Sequence, residues 1–203
     1  VAYARQVAGA GCGLLERVGR EFSYPPSGHV RTAADRHCWG SYLRFCSNAA
    51  AAWSNAALDR IGGFKPTLVS EETVAVGELL AAGERVAYVA DAVVEHAHRY
   101  GPVGAFRRQF DIGYSRRLHA RVLLADEGDR PRGRRLAQRV LVRALREAPG
   151  ELPRILGWLA ASWLGYHVGL LGPNVPAGLA RHLSGQDYFW TSEARIDGLW
   201  APA

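Results

Sequence analysis

The first eight positions, VAYARQVA, are mostly apolar and predict a short strand or an extended segment. After the glycine-rich segment GAGCG at 9–13, the stretch LLERVGREF predicts a short helix, which the turn-forming residues YPPSG at 24–28 bring to an end. Further along, the β-branched run RVAYVADAVVEH predicts one strand with a kink near Asp91, and this strand ends at His96.

Two helices are predicted between these strands. The alanine-rich stretch AAAAWSNAALDRIGGF favours a helix that stops at the glycine pair at 62–63. Ser70 then has the position of an N-cap for a second helix over 71–82, because two glutamates follow it directly and a glycine comes after the last residue.

From Pro102 onward the pattern is helical. Aromatic and apolar residues recur every four positions on the first of these helices, as expected of a packed face: Phe106, Phe110, Tyr114 and Leu118. A second, basic amphipathic helix reads RRLAQRVLVRALREA. Residues 155–171 carry no charge while the histidine among them is neutral, but this stretch falls just short of the roughly 20 residues that span a bilayer.

Composition places the chain among globular proteins, since 48% of its 203 residues are hydrophobic and 22% are charged. This excludes a disordered tail, a collagen-like fibre and a small disulfide scaffold. Cys12, Cys38 and Cys46 include no C-x-x-C pair, so we expect reduced thiols in a cytoplasmic protein. The chain contains no Met and begins with Val1, so we expect that it is part of a longer protein.

The net charge of +6 is concentrated in one region. Residues 99–154 hold 14 arginines and 6 acidic residues, a local charge of +8, while the remainder balances at 11 − 13 = −2. A basic segment next to an apolar one predicts an anionic partner, either a membrane surface, a nucleic acid or a diphosphate.

Two acidic residues, Glu71 and Glu72, lie at the predicted start of a helix. The field of the helix N-terminus keeps such carboxylates ionised, as a general base near neutral pH must be. Acids in the first turn also stabilise a helix without taking part in any chemistry, so spacing alone leaves both interpretations open.

Two further pairs are candidates for binding. His96 and His98 lie two positions apart at a strand end, where side chains project to the same side and can converge on a metal ion or a phosphate. Solvated histidines in a turn would show the same spacing. Ser47 and Asn48 lie between an aromatic run and the alanine-rich stretch, either as a helix cap or as ligand contacts.

Taken in order, three segments resemble a known family: FCSNAAAAWSNAALDRIGGF, then SEETVAVGELLAAGERVAYVADAVVEHAHRY, then FRRQFDIGY. They are similar to the C-terminal half of family 2 glycosyltransferases, and most similar to the bacterial rhamnosyltransferase-like enzymes that build O-antigen and other cell-surface polysaccharides. YARQV and REFSYP also resemble segments of that family. The resemblance covers roughly residues 1–120 and continues more loosely to about Trp190.

The resemblance implies the C-terminal part of a GT-A fold, a Rossmann-like α/β sandwich with few strands here, followed by a helical extension. Residues 1–100 would be the acceptor-side half of the catalytic domain, and 101–203 a helical region associated with a membrane. The family holds Mg²⁺ or Mn²⁺ with a D-x-D motif, which this chain lacks. We therefore expect the nucleotide-binding half, and most of the cation site, upstream of Val1.

The resemblance also assigns roles to residues. Glu72 matches the base that deprotonates the acceptor hydroxyl, although the family usually has Asp there, and Glu71 is its acidic neighbour. His96 and His98 match an H-x-H segment that can touch the metal or diphosphate. Ser47 and Asn48 match a serine–asparagine pair on the acceptor side. An arginine pair often follows in the family, whereas this chain has Trp53-Ser54-Asn55.

The sequence therefore predicts a fragment of an inverting glycosyltransferase that moves a sugar, rhamnose in this subgroup, from a nucleotide-diphosphate donor to a saccharide or lipid-linked acceptor. We expect a cytoplasmic location, peripheral on the inner face of the plasma membrane, no nucleic-acid partner, and no turnover of a nucleotide sugar by this chain alone. The alternatives are a basic module that binds membranes or nucleic acid and an inactive scaffold of the same fold.

Overall fold

The computed structural model describes residues 1–97, 100–125 and 129–192. The strands in these residues are β1 (Ala2–Val7), β2 (His29–Arg31), β3 (Ala51–Ala52) and β4 (Val86–Glu95). The α-helices are α1 (Leu14–Ser23), α2 (Arg36–Trp39), α3 (Asn55–Arg60), α4 (Glu71–Ala81), α5 (Pro102–Leu118), α6 (Ala120–Leu123), α7 (Arg130–Glu147), α8 (Leu152–Gly169), α9 (Ala177–Leu183) and α10 (Asp187–Thr191). The predicted class, α/β with few strands followed by helices, is confirmed.

The four strands form one mixed sheet in the order β2-β4-β1-β3. The two central strands, β1 and β4, run parallel, and each edge strand pairs antiparallel with its neighbour. The register between β1 and β4 shifts where Ala4 pairs with Val89 but Arg5 pairs with Val93. The extra residues on β4 include Asp91, so the predicted kink is confirmed and corresponds to a bulge.

The alanine-rich stretch differs from the predicted helix. Ala51 and Ala52 form β3 and pair with Tyr3 and Ala2 of β1, so the backbone hydrogen bonds of the sheet override the helix propensity of alanine. The helix is confined to α3, where the Ser54 side chain accepts a bond from a backbone N–H of the first turn. The glycine pair that follows has positive φ angles, as its role as a stop requires.

Ser70 precedes α4 as predicted, but its capping mechanism is different. Its φ of 68° and ψ of 37° put it in the left-handed region, and its side chain makes no capping bond. A left-handed conformation costs a non-glycine residue free energy, and such residues concentrate at functional sites. Gly83, with a φ of 83°, follows the helix as expected.

A fully buried arginine connects β2 to the segment that leads to the site. Arg31 donates to the carbonyl oxygens of Tyr42 and Phe45, the latter at 2.6 Å, and to the Tyr3 hydroxyl at 2.9 Å. Its guanidinium also lies 4.8 Å from the centre of the Tyr42 ring and 5.5 Å from the centre of the Tyr3 ring. Three neutral oxygens and two rings thus solvate the cation in place of water, and they fix the chain directly before Cys46.

Helices α5 and α8 cross at close range. Any Cβ added at Gly169 would lie 2.9 Å from the Tyr114 nitrogen, and one added at Gly165 would lie 3.0 Å from the Phe106 carbonyl carbon. The G-x-x-x-G spacing on α8 allows this backbone contact. Across the described ranges, α8 included, no helix combines the length and apolarity needed to cross a membrane.

Candidate functional site at the head of helix α4

The predicted pair Ser47 and Asn48 bridges two parts of the site. On one side, Ser47 Oγ accepts a 2.6 Å hydrogen bond from Nε2 of the buried Gln6 on β1. On the other side, Asn48 Nδ2 donates at 3.0 Å to Oε1 of Glu71. Two adjacent residues therefore connect the central strand of the sheet with the head of α4. Neither residue acts as a helix cap through its side chain.

Glu71 and Glu72 form the first turn of α4, as predicted, and both are partly buried. The helix behind them is apolar on almost every side, because residues 73–77 are all buried. The left-handed Ser70 lets the preceding chain, in which Leu68 and Val69 are buried, turn sharply into this helix. The backbone thus holds two adjacent carboxylates at the edge of the core.

The environment of Glu72 gives this carboxyl the properties of a general base near neutral pH. Burial, and after it the Glu71 carboxylate, raise the pKa of Glu72 to about 7, although a backbone hydrogen bond and the cations Arg108 and Arg116 oppose the shift. A carboxyl with this pKa exchanges its proton at physiological pH. Burial also raises the pKa of neighbouring Cys46 to about 12, with Glu72 contributing, so that thiol stays protonated.

His96 lies at the carboxyl edge of the sheet, a second part of the site. Its backbone N–H donates to the Val7 carbonyl at 3.2 Å, so the ends of the parallel strands β1 and β4 meet here. Burial lowers the pKa of His96, and Arg20 lowers this pKa further while Glu16 opposes it. In open α/β sheets, ligands bind at this edge of the parallel strands.

A cleft of about 370 Å³ opens at the same edge. Its lining combines the end of β1, the glycine-rich loop and one face of α1: Arg5, Gln6, Val7, Ala8, Gly9, Gly11, Cys12, Arg17, Arg20, Glu21 and Tyr24. Arg20 donates to Oε1 of Gln6, whose amide donates in turn to Ser47. The buried Gln6 therefore couples the cleft to the bridge that reaches the acidic helix head.

The metal prediction concerned His96 and His98. His98 lies outside the described residues, and among residues 1–97, 100–125 and 129–192 no three His, Cys, Asp or Glu side chains converge on a common point. The described residues therefore do not by themselves supply a ligand set for Mg²⁺ or Mn²⁺. The metal roles of His96 and His98 stay predictions.

Several residues of the site were not singled out from the sequence. Arg108 and Arg116 on α5 act on Glu72 from more than 30 positions away, and Gln6 connects the cleft with Ser47. Arg108 does lie in the segment FRRQFDIGY that carries the family resemblance, and Gln6 lies in YARQV. The family resemblance of those two segments was the signal in the sequence that they contain site residues. Only the fold shows which of their residues act on the carboxylates or connect to them.

Comparison with known proteins identifies two similar enzymes. The chain is 30% identical over 174 residues to the O-antigen chain rhamnosyltransferase RfbN of Salmonella typhimurium, an alignment that covers 85% of this chain and 55% of that protein. It is 28% identical to the O-antigen chain rhamnosyltransferase WbaN of Salmonella anatum, with the same coverage. The chain thus spans about half the length of the curated relatives it matches.

No family model matches the chain, and no solved structure matches it. The two relatives are nevertheless similar over most of this chain, and both are named as rhamnosyltransferases. An α/β sheet with an edge cleft, and a desolvated carboxyl at a helix head that hydrogen bonds connect to this cleft, agree with that class. The similarity supports a glycosyltransferase family for this chain.

Proposed function

We propose that this chain is the acceptor-side part of an inverting family 2 glycosyltransferase of GT-A fold. It acts in cell-surface polysaccharide synthesis and moves rhamnose from a nucleotide-diphosphate donor to a saccharide or lipid-linked acceptor. The observation that carries the proposal is Glu72, a carboxyl at a helix head whose pKa burial raises to about 7. The names of the two similar proteins supply the class of reaction.

In the proposed reaction, the acceptor hydroxyl oxygen attacks the anomeric carbon of the donor sugar in line with the leaving group. The new C–O bond forms as the bond to the nucleotide diphosphate breaks, and the diphosphate leaves with that electron pair. The Glu72 carboxylate takes the proton of the attacking hydroxyl. Arg108 and Arg116 support its charged form, so that a useful fraction of Glu72 is ionised at neutral pH.

A divalent cation, Mg²⁺ or Mn²⁺, would stabilise the charge on the leaving diphosphate. In this proposal a part of the enzyme upstream of residue 1 would hold most of its ligands, and His96 and His98 of this chain would bind the cation or the diphosphate. Asn48 and Ser47 contribute on the acceptor side, where Asn48 holds the Glu71 carboxylate beside Glu72.

The test is Glu72→Gln in the full-length enzyme, supplied with a nucleotide-diphosphate rhamnose and membranes that carry the acceptor. We expect kcat to fall by at least about 100-fold with donor binding unchanged, since the amide cannot accept the proton. The control is Glu78→Gln, because this partly buried glutamate on the same helix pairs with Lys65 instead. An unchanged rate in Glu72→Gln would assign the base to another residue, and no transfer by the unaltered enzyme would favour an inactive scaffold.

We also propose that helices α7 and α8 rest on an anionic membrane surface. One face of α7 exposes arginines and no acidic residue: Arg134, Arg135, Arg139 and Arg146. Large apolar residues on one stripe of α8 and just beyond its end are about half exposed: Leu156, Trp163, Leu164 and Leu171. Cationic and apolar side chains together suit a lipid surface better than a nucleic acid, which offers no apolar layer.

Co-sedimentation with vesicles tests the membrane proposal. We expect the unaltered chain to bind vesicles that contain anionic lipid. The double variant Arg135→Glu/Arg139→Glu should lose this binding, and so should the single variant Trp163→Glu. Arg121→Glu, which reverses the charge of one exposed arginine on α6, is the control for a charge reversal outside α7 and should bind like the unaltered chain. Equal binding by all variants would contradict the proposal, and a salt-dependent shift with DNA would favour the nucleic-acid alternative.

A further inference from the structure

The last described helix, α10, packs against the segment that leads into the acidic helix head. Phe189 and Trp190 are buried in one apolar cluster with Leu68 and with residues of α5. The Trp190 ring meets the Tyr114 ring edge to face, with 5.3 Å between their centres. Leu68 lies only three residues before Glu71, so a part of the chain more than 100 residues away in sequence lies next to the site.

A buried carboxylate fixes the turn before α10. Asp111, which is fully buried on α5, accepts a 2.6 Å hydrogen bond from Ser184 Oγ and a 3.0 Å bond from the Gly185 backbone N–H. Ser184 Oγ also accepts from the Gln186 N–H at 2.9 Å, which shapes the turn itself. These bonds determine where α10 starts and how its residues face α5.

Tyr188 is the exception among the three aromatic residues of α10. Its neighbours Phe189 and Trp190 are 2% and 6% exposed, whereas Tyr188 is 65% exposed. Partial burial of the phenol oxygen raises the pKa of Tyr188, the carboxylates Glu71 and Asp111 raise it further, and Arg108 opposes the shift. Tyr188 thus presents its ring to solvent on a helix that Phe189 and Trp190 anchor in the same cluster as Leu68, three residues before Glu71.

The polar groups at the head of α4, together with this ring, have the chemistry that recognises a sugar. A pyranose offers an apolar C–H face, which packs on an aromatic ring, and a rim of hydroxyls, which bind carboxylates, amides and guanidinium groups. Glu71 and Arg108, which both act on the pKa of Glu72, supply a carboxylate and a guanidinium group, and Asn48 supplies the amide, which donates to Glu71 and accepts from Trp53. Tyr188 adds the exposed aromatic face.

We propose that Tyr188 is a saccharide-binding residue whose ring packs against a pyranose of the acceptor and presents an acceptor hydroxyl to Glu72. This inference rests on the proposed function, because it takes Glu72 as the base. It gives the helical C-terminal region a direct part in the acceptor site, beyond the packing of the helices.

The experiment measures binding of a panel of methyl pyranosides, the rhamnoside, mannoside and galactoside, to the full chain by saturation-transfer NMR. We expect at least one glycoside to bind the unaltered chain and Tyr188→Ala to weaken that binding by about 3- to 10-fold, the usual range for one aromatic contact. Tyr188→Phe keeps the ring and should bind within about 2-fold of the unaltered chain. Leu179→Ala, an exposed residue on the neighbouring α9, is the control.

The outcomes separate this inference from the proposed reaction. Binding requires no proton transfer, so Glu72→Gln should bind the glycoside while it loses transfer. If the unaltered chain binds none of the glycosides, or if Tyr188→Ala binds as well as it does, the inference is overturned whatever Glu72 does. If Tyr188→Ala instead weakens the binding of a nucleotide-diphosphate rhamnose and leaves glycoside binding intact, the ring serves the donor sugar and the acceptor assignment is wrong.

Discussion

Asn48 Nδ2 donates a 3.0 Å hydrogen bond to Oε1 of Glu71, across 23 positions of the sequence. The orientation of this amide follows from its other partner. Trp53 Nε1 can only donate, and it lies 3.0 Å from the amide oxygen of Asn48. The nitrogen of Asn48 must therefore face Glu71, and this bond holds the Glu71 carboxylate in place next to Glu72.

Asn48→Asp should lower transfer much more than Asn48→Ala does. The new carboxylate would face Glu71 at hydrogen-bond distance without a proton to donate, and it would add negative charge near Glu72. We expect kcat to fall by about 10-fold or more, with a further rise in the pKa of Glu72, while the free energy of unfolding changes little because the bond is exposed.

Steady-state kinetics at several pH values measure this effect. Asn55→Asp is the matched control, since Asn55 is an exposed residue at the first position of α3, where a negative charge is favourable. Equal rates for Asn48→Asp and the unaltered enzyme would mean that the Asn48–Glu71 bond has no part in positioning the carboxylates.

The rate of transfer should rise with pH through about 7, the pKa to which burial raises Glu72. Below that pH the carboxyl is protonated and cannot accept the proton of the acceptor, so kcat should fall about 10-fold for each unit of pH below the pKa. A profile of kcat against pH between 5 and 9 measures this limb. The residual rate of Glu72→Gln should not show this decrease at low pH. If the decrease persisted in that variant, it would report the titration of another group.

The raised pKa of Glu72 also affects the stability of the fold, which should decrease over the pH range in which the rate of transfer increases. Because burial raises the pKa of Glu72 above its ordinary value, the folded state holds the proton more tightly, and stability is lost as pH rises from about 4.5 through about 7. Glu72→Gln removes this penalty. Urea unfolding at pH 8 should therefore show a gain of roughly 1–3 kcal/mol, and the gain should vanish near pH 4.5. An equal gain at both pH values would reflect packing instead of ionisation.

The local signals of the sequence predicted much of what positions the site. The mostly apolar first residues indicated β1, the serine and the two glutamates indicated the start of α4, and the β-branched run indicated β4 with its irregularity. The sequence also points to two pairs of candidate site residues, Ser47 with Asn48 and Glu71 with Glu72. The structure connects these pairs through one hydrogen bond between Asn48 and Glu71. These features depend on residues that are close in sequence, where propensity and capping act.

The features that escaped prediction depend on distant partners. Ala51 and Ala52 read as helix, yet they pair with β1, because the free strand edge decides their conformation. No local pattern marks Arg31 as a core residue, yet it is fully buried among carbonyls and rings. Tyr188 reads only as one of several aromatic residues near the C-terminus. Its place beside Glu71 follows from how α10 packs on α5, which no local pattern encodes.

The close contact between α5 and α8 predicts that a Gly→Ala substitution has opposite effects on stability at two positions of α8. A Cβ at Gly165 would press on the Phe106 backbone of α5, with its carbonyl carbon 3.0 Å away, whereas a Cβ at Gly157 would meet nothing within 4 Å. Gly165→Ala must therefore separate the helices or strain them, and we expect it to destabilise the fold by about 1–3 kcal/mol. Gly157→Ala only gains helix propensity and should stabilise by up to about 1 kcal/mol.

Thermal unfolding separates the two outcomes. At about 2–4 °C per kcal/mol for a chain of this size, Tm should fall by several degrees for Gly165→Ala and stay level or rise slightly for Gly157→Ala. Because α5 also carries Arg108 and the Asp111 anchor of α10, a displaced α5 should weaken saccharide binding as well. If Gly165→Ala were as stable as Gly157→Ala, the two helices would not be in backbone contact, and the position of α10 beside Glu71 would need another explanation.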